Sequence, residues 1–193
     1  MAGIVKPMQL KPVDQYQDLF AVHDVFPDSL IQAIHKTDWL NLPWQRQEGQ
    51  ELWARRRIKD DALPWISEWS NFCQQLWPQL SALLGMPLLA YQGTAWWLDE
   101  PGFTCAIHTD GEMPGAMQIS WIGALPDLGT AFYHYKNSQS LRHQFEMKSN
   151  SGYILINSAQ NQGFRHLQWH GMLTPVPPNT FRLSSYSWIT PTK

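Results

Sequence analysis

The sequence predicts a mainly β protein, an antiparallel sandwich or barrel flanked by helices. Two observations carry that reading. From Leu88 onward, short segments rich in β-branched and aromatic residues are separated by Gly, Pro, Asn and Asp, which suits antiparallel strands joined by turns rather than alternating strand–helix units. Ahead of Leu88, two stretches repeat apolar residues every three or four positions, the period of an amphipathic helix. The 193 residues suffice to bury a core, and a composition 44% hydrophobic and only 16% charged is globular. We therefore expect one domain over residues 1–193, with a helical lead-in at 1–87 and a β core at 88–193.

Residues 1–16 carry two prolines and mixed polarity, a lead-in rather than a core element. Asp28 offers an N-cap to a short helix through Leu30, Ile31 and Ile34, which ends near Asn41-Leu42-Pro43. The dense basic run Arg55-Arg56-Arg57-Ile58-Lys59 is followed at once by Asp60 and Asp61. It reads either as a solvated, self-neutralised segment or as a clamp for a carboxylate or phosphate at a pocket mouth.

A second helix is expected at 63–84, where Ile66, Trp69, Phe72, Leu76, Leu80 and Leu83 keep the helical rhythm and Gly85 and Pro87 stop it. Pro78 should kink or split it. Both helices should pack on the sheet. Strands are expected at 88–98, 103–108, 116–122, 131–135, 152–156 and 180–189.

A net charge of −2 gives no electrostatic reason for nucleic-acid or anionic-membrane binding. Cys73 and Cys105 lack the spacing of a zinc knuckle or disulfide framework. No apolar run is long enough to span a bilayer. These features predict a cytoplasmic protein without nucleic-acid or membrane partners.

His108-Thr109-Asp110 ends a predicted strand. Residues two apart in a strand share a face, so the imidazole and carboxylate can converge on one ion. The triplet alone equally suits a structural hydrogen-bonded pair. His170, after the strand at 152–156 and before the last strand, supplies a third donor. Two histidines and one carboxylate form the facial triad of non-haem iron(II) oxygenases, with three positions left open. His166 is a rival for the third donor, and closeness to the final strand and to Gly171 favours His170.

Arg182 and Ser184 share a face of that final strand. A guanidinium grips a carboxylate bidentately, and a neighbouring hydroxyl can add a bond. His134, Gln118 and Ser120 could line a cavity or serve only packing. Trp96, Trp97, Trp121 and Trp169 could wall a substrate, although tryptophan is more often core.

In this order His108-Thr109-Asp110, Leu128-Gly129-Thr130-Ala131-Phe132, Gly152-Tyr153-Ile154-Leu155-Ile156, His170, Pro175-Val176, Arg182 and Trp188 resemble the iron(II)- and 2-oxoglutarate-dependent oxygenase superfamily, especially its prolyl 4-hydroxylase-like branch. Val22 to Pro27 and the following helix resemble the opening of such domains, and Trp97 stands near a position where relatives often carry tyrosine. The resemblance implies a double-stranded β-helix, the cupin-like jelly roll. It implies that His108, Asp110 and His170 hold Fe(II), and that Arg182 with Ser184 binds the far carboxylate of 2-oxoglutarate. It also implies O2-dependent hydroxylation of an unactivated carbon of a small-molecule, peptide or protein substrate, with release of succinate and CO2. Two other classes share the sequence features: a cupin-like metal protein without 2-oxoglutarate chemistry, and a non-catalytic β-sandwich that binds a partner.

Overall fold

Hydrogen-bonded strand pairs span most of the chain. The computed structural model describes residues 10–15, 18–46, 54–58, 62–110, 114–122, 128–156 and 168–192. Strands are β1 (Lys11–Pro12), β2 (Leu19–His23), β3 (Trp44–Arg46), β4 (Arg55–Ile58), β5 (Thr94–Asp99), β6 (Cys105–His108), β7 (Gly115–Ile122), β8 (Ala131–Tyr133), β9 (Leu141–Gln144), β10 (Ser151–Ile156), β11 (Trp169–Met172) and β12 (Arg182–Trp188). The helices are α1 (Asp28–Lys36) and α2 (Ile66–Leu84). An eight-stranded sheet runs β1-β2-β10-β7-β12-β5-β4-β3, and a four-stranded sheet runs β6-β11-β8-β9. Their pairings are antiparallel.

The period-two alternation of strands gives the large sheet two chemically different faces. Trp96 and Leu98 of β5, Ile119 and Trp121 of β7, and Ile154 of β10 join Leu30 and Ile34 of α1 and Trp69, Leu76 and Leu80 of α2 in one buried cluster. Trp69 lies at its middle, stacked on Phe26 at 4.4 Å and edge-on to Trp96 at 4.9 Å and Trp121 at 5.6 Å. Its indole N–H reaches Thr94 Oγ1 at 3.0 Å, and that of Trp121 reaches Ser185 Oγ at 2.8 Å, so these rings are buried with their polar edges satisfied. On the opposite face Tyr153 and Leu155 of β10 meet Phe132 of β8, with Phe132 and Tyr153 edge-to-face at 4.9 Å. That second cluster joins the two sheets.

Several expectations change in detail. Pro78 neither splits nor ends α2, because Pro78 and Gln74, whose carbonyl loses its helical donor, both face solvent, where water can take the freed bond. Gly85, at φ 66°, closes the helix with Gly85 N–H to Ala82 O and Met86 N–H to Ser81 O. Asp28 is the first helical residue and not the cap, which is Pro27; there its charge favours the positive end of the helix. Among the described residues, the first 87 hold four strands besides the helices. Arg55 to Ile58 of the basic run form β4, bound along β5, with Ile58 buried opposite Trp96. Strands β9 and β11 lie outside the strands expected from sequence. Among the described residues no helix is long and apolar enough to cross a membrane.

Gly152 lets β10 lie tightly between β2 and β7, since a Cβ there would sit 1.9 Å from Gln118 O. Backbone cannot yield as a flexible side chain does. Gly152→Ala should lower stability by about 3 kcal/mol, the upper end for overpacking, read as a lower urea midpoint. An unchanged midpoint would contradict this strand packing.

Candidate metal centre

His108 closes β6, and His170 lies directly across from it on β11. Gly171 allows this approach, as a Cβ there would come within 2.8 Å of Cys105 O on β6. The imidazole centroids are 4.4 Å apart. Asp110, just beyond the strand end, places Oδ1 3.4 Å from His108 Nε2 and Oδ2 3.5 Å from His170 Nε2. The three donor groups lie within 4.8 Å of one another.

The ring orientation suits coordination. His108 Nδ1 is 2.8 Å from Ala106 O and His170 Nδ1 is 2.9 Å from Gln168 O. A carbonyl only accepts, so each Nδ1 carries the hydrogen and each Nε2 is the atom left for a metal. Tyr186 on β12 donates its hydroxyl to Asp110 Oδ2 at 3.3 Å, which steadies the carboxylate.

Electrostatics separate the two histidines. The hydrogen bond to Asp110, helped by the contact with Cys105, raises His108 to about 10 against the opposing effect of burial. Burial dominates at His170 and lowers its pKa, despite the nearby Asp110 charge. Burial would raise Asp110, but its hydrogen bond with His108 and the charges of both histidines hold it below the usual value.

A cavity of about 810 Å³ opens over the three donors and is lined also by Arg55, Trp97, Gln118, Tyr153, Arg182, Tyr186 and Trp188. Arg182, Asp99 and Arg55 are cross-strand neighbours on β12, β5 and β4. Arg55 grips Asp99 bidentately, Nε to Oδ1 at 2.5 Å and Nη2 to Oδ2 at 3.0 Å. Arg182 Nε lies 2.9 Å from Asp99 Oδ2 as an ion pair, while its Nη1 donates to Leu128 O at 3.2 Å and contacts Met172 Sδ at 2.8 Å. Two guanidiniums thus share one carboxylate that is 0% exposed. Tyr153 donates its hydroxyl to Gln118 Oε1. Ser184 Oγ, buried on the Arg182 face, has no hydrogen-bond partner among the described residues.

The structure therefore gathers His108, Asp110, His170 and Arg182 around one cavity with Gln118 and Trp97 in its lining, whereas Ser184, on the Arg182 face of β12, is fully buried and does not line it. His166 lies outside the described residues. Ser120 and His134 do not line the cavity, and His134 is exposed. Trp96 and Trp121 point to the helix side, as strand alternation from Trp97 and Gln118 requires, so they form core rather than substrate wall. Trp169 instead lies under the Lys136 ammonium, 5.8 Å from its ring centre. Asp99, Tyr153 and Tyr186 are cavity-side residues that sequence reading did not assign, and Arg55 comes from the basic run that it read either as solvated or as an anion clamp. Alternation was the available signal, since Arg182, Ser184, Tyr186 and Trp188 occupy every second position of β12.

Solved structures share this architecture. A prolyl-4-hydroxylase from Pseudomonas putida superposes with a TM-score of 0.63 at 14% identity, over 91% of this chain and 94% of that one. HygX from Streptomyces hygroscopicus, with nickel, 2-oxoglutarate and hygromycin B bound, gives 0.60 at 12% identity, over 91% and 83%. A 2OG-Fe(II) oxygenase family oxidoreductase from Burkholderia pseudomallei gives 0.64 at 9% identity, over 90% and 84%. The chain has the fold of the 2-oxoglutarate- and iron(II)-dependent oxygenases. No protein-family model matches the sequence, and no curated protein matches it. In this oxygenase fold the β6–β11 pair carries the three clustered donors and β12 carries Arg182.

A divalent metal can take His108 only after its Nε2 loses a proton, and Asp110 holds that proton. Metal affinity should therefore rise with pH, by up to about tenfold per unit below the His108 value of about 10. Nickel(II) titrations from neutral to mildly alkaline pH, in a buffer that does not bind metal, check this. A pH-independent affinity would show that the His108–Asp110 pair is not the binding group.

Proposed function

We propose that this protein is an iron(II)- and 2-oxoglutarate-dependent dioxygenase that hydroxylates an unactivated carbon of a protein, peptide or amino-acid-like substrate. The observation that carries the proposal is one cavity holding both a two-histidine, one-carboxylate cluster and a pair of guanidiniums that outnumber their buried counterion. The two sheets correspond in this reading to a double-stranded β-helix, and the whole of residues 1–193 to one oxygenase domain. The compartment is the cytoplasm, and nucleic acid and membrane are not partners.

The residues present fit a divalent metal and a dicarboxylate keto acid. His108 Nε2, His170 Nε2 and an Asp110 oxygen would hold iron(II), a donor set that leaves coordination positions for other ligands. Arg182, with the orphaned Ser184 hydroxyl, would bind the distal carboxylate of 2-oxoglutarate. Bound iron would supply the activation of O2 that couples conversion of 2-oxoglutarate to succinate and CO2 with substrate hydroxylation.

The chain contributes binding, orientation and shelter. The Asp99 contact, the Leu128 carbonyl and Met172 restrict where the Arg182 guanidinium can point, and a fixed anchor sets the orientation of the co-substrate without reorganisation during reaction. Tyr186 steadies Asp110. Trp97, Tyr186 and Trp188 give the cavity aromatic lining, which helps to exclude water around a substrate. About 810 Å³ is in the upper range of small-ligand sites, room for a substrate group beside a five-carbon keto acid.

A cupin-like metal protein without 2-oxoglutarate chemistry needs the three donors but not the excess positive charge at Arg182 and Arg55. An interaction module needs neither. The test is succinate formation from 2-oxoglutarate by the iron(II)-loaded protein in air. Arg182→Ala should weaken 2-oxoglutarate binding by about 2–5 kcal/mol, the scale for truncating one partner of a buried charge pair, and Arg182→Lys should restore part of it. Iron-loaded protein that neither binds 2-oxoglutarate nor forms succinate would favour the cupin-like reading.

A further inference from the structure

We infer that Arg55 is a second anchor for the anionic end of the bound keto acid, so that Arg55 and Arg182 together make the site select a dicarboxylate over a monocarboxylate of equal length. This rests on the 2-oxoglutarate reading above and adds to it a specificity-determining residue from the N-terminal part of the chain.

Register is the first support. Arg55 faces Asp99 from β4 just as Arg182 faces it from β12, so the two guanidiniums flank one carboxylate across three adjacent strands. Both line the cavity. Arg55 spends Nε and Nη2 on Asp99, whereas Arg182 spends Nη1 on Leu128 and Met172 and sets Nε beside Asp99 as an ion pair without a hydrogen bond. Nη1 of Arg55 and Nη2 of Arg182 make no hydrogen bond among the described residues. A carboxylate has two oxygens to offer, one to each.

Charge counting is the second support. Asp99 is neutralised by one arginine. A second guanidinium, with its side chain only 17% exposed, leaves the row one positive charge in excess, although its own bonds to Asp99 outweigh its burial and keep it charged. Nor is it positioned loosely, because its Cζ lies 4.4 Å from the centre of the Phe103 ring and 5.3 Å from that of Trp97. Arg56 by contrast turns to Glu100, and Arg57 is exposed over Trp97. Only the first arginine of the run is held inside, where a monoanion completes the row.

The experiment compares 2-oxoglutarate with 2-oxopentanoate, which has the same chain and keto-carboxylate end but no distal carboxylate. Each is titrated calorimetrically into nickel(II)-loaded protein. Wild type should prefer 2-oxoglutarate, Arg55→Gln should lower 2-oxoglutarate affinity about 10- to 100-fold while changing that for 2-oxopentanoate less than about threefold, and Arg55→Lys should fall between. A brace acting only on the fold would weaken both keto acids alike. Should Arg55→Gln not fold, Arg55→Lys still decides, since it retains the charge beside Asp99 and loses the fork. Wild-type discrimination preserved in the variant that folds, or equal losses for both ligands, overturns the role of Arg55 alone. A wild type with no preference for the dicarboxylate overturns this role and the 2-oxoglutarate reading together.

Discussion

Asp99 has no exposed surface and two guanidiniums beside it. Burying an ion is costly unless opposite charge and hydrogen bonds replace its water. The pairings of β4 and β12 with β5 satisfy that requirement, because only their register sets Arg55 and Arg182 opposite Asp99. Slipping either strand by one residue would turn its arginine to the helix-covered face. The same row leaves one positive charge in excess at the cavity. A structural demand of the sheet and a binding property of the site are thus met by three side chains.

The large sheet works as a partition. On one side tryptophans and aliphatic residues interlock with α1 and α2, and on the other Gln118, Tyr153, Arg182 and Tyr186 face the cavity. A polar site of this kind needs rigid support, since each donor must hold its direction without water to correct it. Trp69, wedged between Phe26, Trp96 and Trp121, stiffens the sheet from behind. The two clustered histidines sit across the cavity on the smaller sheet, where the opposed positions of β6 and β11 bring the imidazoles together. Tyr186 bridges the two, reaching from β12 of the large sheet to Asp110.

Much of the site was legible because its signals are local. The alternation that puts His108 and Asp110 on one side, and Arg182 and Ser184 on one face, needs no knowledge of partners. His170 required only its place between two predicted strands. Arg55 and Asp99 were not legible as a pair: they are 44 residues apart, and their meeting depends on a long-range register that composition does not record. In sequence the arginine run suits a solvated segment as well as an anion clamp, and nothing local distinguishes the half-buried Arg55 from the exposed Arg57. Strand β4 was missed for the same reason, a charged segment whose burial is decided by what lies beside it. The tryptophans show the opposite error. Trp96 and Trp97 look equivalent in sequence, yet one pleat separates a core ring from a cavity wall.

The iron(II) and 2-oxoglutarate sites we propose meet in one cavity, and thermal unfolding tests that link most directly. Melting is recorded without oxygen for the protein alone, with iron(II), with 2-oxoglutarate, and with both. A ligand that binds only the folded state raises Tm according to its affinity. The account predicts a rise with iron(II) and a rise with both that exceeds the sum of the separate shifts, because each ligand completes the site of the other. A rise with iron(II) that 2-oxoglutarate leaves unchanged would contradict it.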